Sequence, residues 1–233
     1  HELEQKKERI CNFEENKETL LVKLQEIENE LQAECENLTE IRKEHASLLC
    51  QKMIEALRDL NFLDVQFCME FSKLPHYTKN GWDEAVFMIS TDPGLPVRPL
   101  NEVASGGELS RIMLAIKSVL ADVDQVDTLI FDEIDSGISG RTAQKVSEKM
   151  AVISKTHQVI AITHLPQIAA MADSHYLIEK RVEGEHTKTV MTGLNQEASV
   201  VELARILGGV EVTDAVLESA KEMKELAKRT KKY

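Results

Sequence analysis

The sequence predicts an α/β protein, with a mostly parallel sheet flanked by helices and one long N-terminal helix that forms part of a coiled coil. Three observations lead to this fold class. Residues 1–60 contain neither glycine nor proline and are densely charged. Beyond them, short apolar runs alternate with segments of helical periodicity, an order typical of parallel sheets. Hydrophobic residues make up 42% of the 233 residues, which is enough for a core.

The long helix matches a heptad pattern best between Leu20 and Leu48. Most of its a and d positions there are apolar, which gives the narrow stripe of a coiled coil. A single amphipathic helix lying on a globular domain is the alternative, although it favours a wider stripe and a shorter length. We therefore predict a coiled-coil arm over 1–60 and a separate domain over 61–233, with the partner helix supplied from elsewhere.

The elements of the second domain follow in order. Apolar runs at 62–71 and 84–90 predict two strands joined by a loop, and a proline-rich connector at 91–100 leads into a helix after Ser105. Strands are predicted at DTLIFDE and HQVIAITH, with a helix over 141–155 between them. A short helix, a hairpin turning at 183–184 and two helices complete the chain. The first of these two helices ends at Gly208–Gly209, and the second begins at Thr213.

Composition excludes several classes of protein. A formal net charge of −12 argues against a surface that binds nucleic acid or anionic membrane throughout, although a local basic patch remains possible. The four cysteines form no metal-binding pattern, and no apolar run is long enough to span a membrane. A reducing, cytoplasmic setting is the simplest expectation.

Two predicted strands end in polar residues that suit phosphate chemistry. Asp132 and Glu133 follow one apolar run and His164 follows the other, with Asp135 and Ser136 in the turn after the acidic pair. Neighbouring parallel strands share the edge where ligands bind in open α/β sheets. An acidic pair there can hold Mg²⁺ and activate water. A solvated strand end and a capping histidine are the plainer explanations of the same residues.

The stretch VASGGELSR predicts a helix start of unusual composition. Ser105 and Glu108 match a capping box, yet Gly106 and Gly107 between them disfavour a helix. A helix N-terminus offers unpaired N–H groups to a phosphate, and glycine lacks the Cβ that would keep the phosphate at a distance. No glycine in the chain precedes a lysine, so the chain has no P-loop of its own.

Four segments together resemble the ABC-type ATPases. ASGGELSR is similar to their signature motif, TLIFDE to the Walker B strand, IDSGIS to the D-loop and ITH to the switch-histidine segment. The heptad helix joined to such a head resembles the SMC-like branch rather than the transporters. The resemblance runs from about Gly81 to Gly209, and Asp92 departs from the Asn expected in the family.

The resemblance implies the C-terminal lobe of an ABC-type ATPase head that binds ATP and Mg²⁺ between the two subunits of a homodimer. It assigns Asp132 to Mg²⁺ through water, Glu133 to the general base and His164 to the γ-phosphate. Asp135 and Ser136 would form the D-loop. Arg111 would support the signature loop, or else be an exposed helix residue. The residues that would touch ATP on the opposite head are Ser105, Gly106, Gly107 and Glu108.

The same resemblance implies a role in recombinational repair of DNA double-strand breaks, with DNA as a partner and a cytoplasmic, nucleoid-associated location. The P-loop and the other coiled-coil strand would belong to an N-terminal half outside this chain, which alone is expected to be inactive. A different SMC-like head, a transporter nucleotide-binding domain and a non-catalytic coiled-coil module remain alternatives. The basic segment 228–232 indicates a helix end that complements the dipole more than a phosphate track.

Overall fold

The computed structural model describes residues 2–92, 94–102, 106–121, 126–183, 186–209 and 211–231, apart from the side chains of Arg9, Cys11 and Glu183. The α/β fold class with a long N-terminal helix is confirmed. In chain order the elements are α1 Glu2–Asp59, β1 Gln66–Thr78, β2 Gly81–Ser90, β3 Arg98–Pro99, a 3-10 turn at Leu100–Glu102, α2 Gly106–Val119, β4 Thr128–Phe131, α3 Gly140–Ile153, β5 Gln158–Ala161, α4 Pro166–Met171, β6 His175–Glu183, β7 His186–Leu194, α5 Gln196–Gly208 and α6 Asp214–Thr230.

Helix α1 has the length that the absence of glycine and proline predicts. It ends at a tight reversal in which Asn61 adopts a left-handed conformation with φ 73°, and the Phe62 N–H donates to the Leu57 carbonyl. The apolar residues of its heptad positions are exposed over the first half, with Phe13 69% and Leu20 66% accessible. Within the described chain, therefore, this stripe has no covering partner.

Contacts divide the chain into two units, namely residues 1–50 with 68–88, and residues 51–67 with 89–233. The hairpin of β1 and β2 thus groups largely with α1, whereas the sequence suggested a boundary between residues 60 and 61. That boundary stays a prediction for the complete protein.

A polar network joins the hairpin to α1 within the first unit. The Thr39 hydroxyl donates to Asp83 Oδ1 at 2.7 Å and accepts from Trp82 Nε1 at 3.0 Å. Arg42 forms an ion pair with the other Asp83 oxygen at 2.7 Å, and the Lys73 ammonium lies 3.4 Å from the centre of the Trp82 ring. The side chains of the hairpin are therefore fixed to the helix by specific donors and acceptors.

Strand β1 is longer than the sequence predicts. It continues through Pro75 to Thr78, so the expected loop shrinks to the turn before Gly81, whose φ is 89°. Proline cannot donate to a ladder and is confined to edge strands. The strand order β1-β2-β3 places β1 at an edge, which explains why Pro75 is tolerated.

The second unit is built around β4 and β5, which are parallel, with Thr128 opposite Gln158 and Phe131 opposite Ala161. Helix α3 packs against α2 and α4. The core contains side chains that are fully buried, among them Ile112, Leu114, Ile134, Val146 and Ile153. Beside this parallel pair, β6 and β7 form an antiparallel hairpin.

The last two helices are both capped by a side chain at the N-terminus, of which the sequence predicted the cap at Thr213. The Asn195 side chain accepts from the Ala198 N–H at the start of α5, and Thr213 accepts from Val216 at the start of α6. Gly209 ends α5 with φ 71°. Helices α5 and α6 pack together and against α4 through a cluster of small and apolar side chains that includes Ala169, Met171, Leu203, Ala204, Ala220 and Ala227.

Candidate functional site

The carboxyl ends of β4 and β5 lie side by side, as the sequence predicts. The Ile162 N–H donates to the Phe131 carbonyl at 3.0 Å, which continues the parallel register one residue beyond the strands. Asp132 therefore follows β4 at the same edge where Thr163 and His164 follow β5. This edge brings the acidic and imidazole side chains of two separate segments together.

Asp135 links the turn after β4 to the segment after β5. Its carboxylate is buried, and Oδ2 accepts from Thr163 Oγ1 at 2.6 Å and from the His164 N–H at 2.8 Å. His164 Nδ1 lies 3.0 Å from the same oxygen. The side chain of His164 is therefore held beside the carboxylate that its own backbone N–H binds. The imidazole is 74% exposed, which leaves Nε2 available to an outside group.

Asp132 and Glu133 are exposed at the same edge. The Glu133 N–H donates to Asp132 Oδ1 at 2.9 Å, so one oxygen of Asp132 is occupied by its neighbour. Glu133 has φ 56°, a left-handed conformation that costs a residue with a Cβ roughly 1–2 kcal/mol. Strained backbone conformations cluster at functional sites, and Glu133 lies at the strand edge where ligands bind in open α/β sheets.

The start of α2 packs against this turn. Gly107 is buried, and a Cβ on it would lie 2.8 Å from the Ser136 Cβ and 3.0 Å from the Glu133 carbonyl oxygen. A Cβ on Gly106 would lie 2.6 Å from Glu133 Oε2. The close approach that the two glycines permit is therefore to the turn of the same chain. Approach to a phosphate held by another subunit, which the sequence suggested, stays a prediction.

Two side chains of α2 fasten the helix to the turn. Ser110 Oγ donates to the Asp132 carbonyl at 2.8 Å, and Arg111 Nη1 donates to the Ser136 carbonyl at 2.8 Å. Arg111 is buried and lies over the Phe62 ring at 5.4 Å. Burial lowers the pKa of its guanidinium, and the Glu108 charge opposes that effect. Arg111 is thus a supporting residue rather than an exposed one.

Of the two remaining predicted site residues, the structure describes one and not the other. Ser105 lies outside the described residues, so its capping role stays a prediction. Glu108 is half-buried in the first turn of α2. Ser110 and Thr163 were missed by sequence reasoning, because a single hydroxyl beside a motif carries no distinctive pattern. Their position one residue from Arg111 and His164 is the only signal that could have suggested them.

The edge fits part of a magnesium and nucleotide site. Asp132 retains one carboxylate oxygen, and a single carboxylate with phosphate and water ligands suffices for Mg²⁺. Within the described ranges, no cluster of three or more His, Cys, Asp or Glu side chains could hold a metal without such additional ligands. The residues present therefore suit a metal that arrives with a phosphate substrate.

Comparison with curated proteins identifies the relatives of this chain. It is 42% identical over 226 residues to the DNA repair protein RecN of Halalkalibacterium halodurans, a match that covers 95% of the chain and 39% of that protein. The DNA repair protein RecN of Bacillus subtilis is 37% identical, with coverage of 98% and 42% respectively. The chain is a relative of RecN. It spans about two fifths of the length of these RecN proteins.

Other comparisons add little beyond the RecN match. No family model matches the sequence. Among solved structures, the Smc head domain with a coiled coil and joint derived from Pyrococcus yayanosii is 20% identical, covers 70% of the chain and 29% of that structure, and has a TM-score of 0.49. The SMC head domain from Thermotoga maritima is 19% identical, with coverage of 70% and 52% and a TM-score of 0.36. Neither similarity is high enough to support an argument.

No helix within the described part of this RecN relative is long and apolar enough to cross a membrane.

Proposed function

We propose that this chain is the C-terminal part of an SMC-like ATPase head with a coiled-coil arm. In the complete protein, two such heads would bind and hydrolyse ATP between them and act in recombinational repair of DNA double-strand breaks. The observation that supports this most directly is the shared edge of β4 and β5, where Asp132, Glu133 and an Asp135-bound His164 come together. Similarity to RecN proteins over nearly the whole chain supports the repair role.

Each residue at the edge has a proposed role in hydrolysis. Asp132 would hold Mg²⁺ through water, and the metal when bound would neutralise charge on the phosphates. Glu133 would act as the general base that takes a proton from the attacking water. His164 would contact the γ-phosphate through Nε2, since Nδ1 faces Asp135 Oδ2 at 3.0 Å. Asp135 is therefore proposed as the residue that positions the imidazole.

The signature residues would complete the site of the opposite head. Gly106 is exposed at the start of α2, and Glu108 is half-buried two residues further along. The assignment of Ser105 is made from the sequence alone. Gly107 is buried against Ser136, so we assign it to holding the helix start against the D-loop. Movement of Ser136 on dimer formation would reach the signature helix directly through this contact.

Apolar side chains on and beside β4 and β5 are exposed, which supports an N-terminal half that would cover them. Ile130, Ile160 and Ile162 are 68%, 44% and 54% exposed although they lie on or next to a parallel strand pair. Parallel sheets are normally covered on both faces, and an isolated pair of strands is too small to be stable. We propose that an N-terminal half with the P-loop covers these strands and that its helix pairs with the heptad stripe of α1.

The variant Glu133→Gln in the complete protein tests the general-base assignment. It should bind ATP with unchanged affinity and reduce turnover by at least about 10²-fold, since a general base contributes roughly that much. Glu148→Gln, a half-buried carboxylate of α3 that contacts Lys145, is the matched control and should retain turnover. Undiminished hydrolysis by Glu133→Gln would overturn the assignment.

ATP hydrolysis by the 233-residue chain alone tests whether an N-terminal half is needed. It should show almost no ATP hydrolysis, and addition of a separately produced N-terminal half should restore turnover. Full activity of the 233-residue chain would contradict the proposal.

A non-catalytic coiled-coil module is the second candidate, and the exposed heptad stripe of α1 favours it. The two functions differ in their response to nucleotide. Head association driven by ATP in the complete protein supports the ATPase, whereas oligomers that ignore ATP support the interaction module. The long arm makes a transporter domain the weaker alternative. DNA binding and a cytoplasmic, nucleoid-associated location are proposed from the RecN similarity.

A further inference from the structure

A cavity of about 250 Å³ lies in the second unit, away from the residues of the proposed ATP site. Its walls come from the end of α4, the start of β6, the end of β7, the start of α5 and one side of α6. The polar side chains that face it include four potential cations and one carboxylate. The four potential cations are His175, Lys224, Lys228 and Lys231, and the other polar side chains are Asp173, Asn195, Gln196 and Ser199.

The three lysines of this cavity differ in how their charges are balanced. Lys231 Nζ pairs with Asp173 Oδ1 at 2.6 Å. Lys224 Nζ donates to the Ala172 carbonyl at 3.2 Å, and Lys228 Nζ donates to an amide oxygen at 3.5 Å. These last two partners are neutral. Among the described residues, neither Lys224 nor Lys228 forms an ion pair with a carboxylate.

The excess positive charge affects the titration of groups in the cavity wall. Burial lowers the pKa of Lys224, and repulsion from Lys231 and Lys228 lowers it further, with Asp173 opposing. Burial likewise lowers the pKa of His175, with Lys224 adding repulsion and Glu202 opposing. Like charges are thus held close together in a partly desolvated space, which an anion would relieve.

Helix capping explains only part of this arrangement. Lys228 lies in the last turn of α6, where a cation complements the helix dipole. Lys224 lies more than a turn before the end of α6 at Thr230, and its amine instead meets the Ala172 carbonyl at the end of α4. An ammonium has three N–H donors, and this contact uses one. Its charge and remaining donors are left for the cavity.

We propose that this cavity binds a phosphate group. Two lysines without carboxylate partners match the two charges of a phosphate dianion, and His175 can add a third charge when an anion raises its pKa. The volume is below the usual range for drug-sized ligands, which favours a single phosphate over a whole nucleotide. The cavity shares no residue with Asp132, Glu133 or His164, so the inference stands independently of the proposed ATPase function.

Histidine NMR on the 233-residue chain tests the proposal at the site itself. The His175 imidazole is titrated in chloride and in increasing inorganic phosphate at constant ionic strength. A bound anion favours the protonated ring, so phosphate should raise the His175 pKa in a saturable manner toward or above the ordinary value of about 6.5. The other histidines should shift less. Absence of a saturable change at His175 would overturn the proposal.

Lysine variants identify the source of the effect. Lys224→Gln with Lys228→Gln should abolish the response to phosphate, and it should raise the His175 pKa already in chloride because a repelling charge is removed. Lys221→Gln is the matched control, since Lys221 lies on the same helix but pairs with Glu218. The single variant Lys228→Gln, at an exposed site, provides the test if the double variant fails to fold. An equal loss in Lys221→Gln would contradict the assignment.

A competition experiment with a short DNA duplex distinguishes a free phosphate from a phosphate of the DNA backbone. A response to inorganic phosphate that a short DNA duplex neither reproduces nor competes with indicates a free or small-molecule phosphate. A duplex that displaces inorganic phosphate and shifts His175 at lower concentration indicates the backbone. Failure of both probes overturns the site.

Discussion

Two glycines begin α2, and two others lie between β4 and the first turn of α3; the two pairs meet different physical needs. Gly106 and Gly107 lie where a Cβ would collide with the turn, at 2.6 and 2.8 Å from its side-chain atoms. Gly137 and Gly140 have open space around them but adopt φ values of 72° and 51°. Glycine is therefore required for proximity in one region and for backbone conformation in the other.

The largest expected effect comes from Gly107→Ala. The new Cβ would meet Ser136 Cβ and the Glu133 carbonyl, which are parts of a packed turn, so α2 must move away from it. We expect a loss of about 3 kcal/mol in the free energy of unfolding, at the upper end for overpacking. Denaturant unfolding of the chain measures it. Adding Ser136→Gly should recover part of the loss, and a cost below about 0.5 kcal/mol would show that the contact is slack.

Asp135→Ala should follow in size. It removes the acceptor of the Thr163 hydroxyl and the His164 N–H, and a buried donor left unpaired costs about 1–3 kcal/mol. We expect about 2 kcal/mol by the same measurement. The exposed Asp132→Ala is the control and should cost less. Equal costs would mean that Asp135 does not hold the two strand ends together.

Gly137→Ala isolates the conformational requirement. No atom lies within 4 Å of the added methyl, so only the left-handed φ opposes it, at about 1 kcal/mol. Gly137→Asn should cost less than alanine because asparagine adopts this conformation more readily. A neutral or stabilising Gly137→Ala would contradict the distinction between the two pairs.

Gly106→Ala should have the smallest effect on stability. Its Cβ meets only the far end of the Glu133 side chain, which can turn aside, and alanine favours a helix by up to about 1 kcal/mol. The free energy of unfolding should change by less than about 0.5 kcal/mol. In the complete protein, turnover of ATP should nevertheless fall, because the carboxylate is displaced. A loss as large as that of Gly107→Ala would show that Glu133 is fixed in place.

Elements with strong local signals were predicted well from the sequence. The bounds of α1 and α6 and the end of α5 follow from periodicity, the lack of helix breakers, the cap at Thr213 and the glycines at 208–209. The adjacency of the ends of β4 and β5 follows from the order of strands and helices. These features depend on residues near one another in the chain, which is why pattern alone is sufficient.

Features set by distant contacts were not predictable in the same way. Pro75 suggested a loop, but an edge position makes it compatible with strand β1. The packing of the α2 glycines against Glu133 and Ser136 was not foreseen, because no local pattern reports it. Their contact with a ligand stays a prediction. The two hydrogen bonds that Asp135 accepts likewise depend on a segment about 30 residues later. Tertiary packing decides such cases.

The position of Trp82 has a practical consequence for measuring these effects. It is the one tryptophan of the sequence, and it is buried in the first unit, bonded to Thr39 and covered by Lys73. Its emission therefore reports the melting of that unit, while the substitutions above act in the second. Comparing tryptophan fluorescence with far-ultraviolet circular dichroism during unfolding will show whether the chain melts as one cooperative body or in two steps.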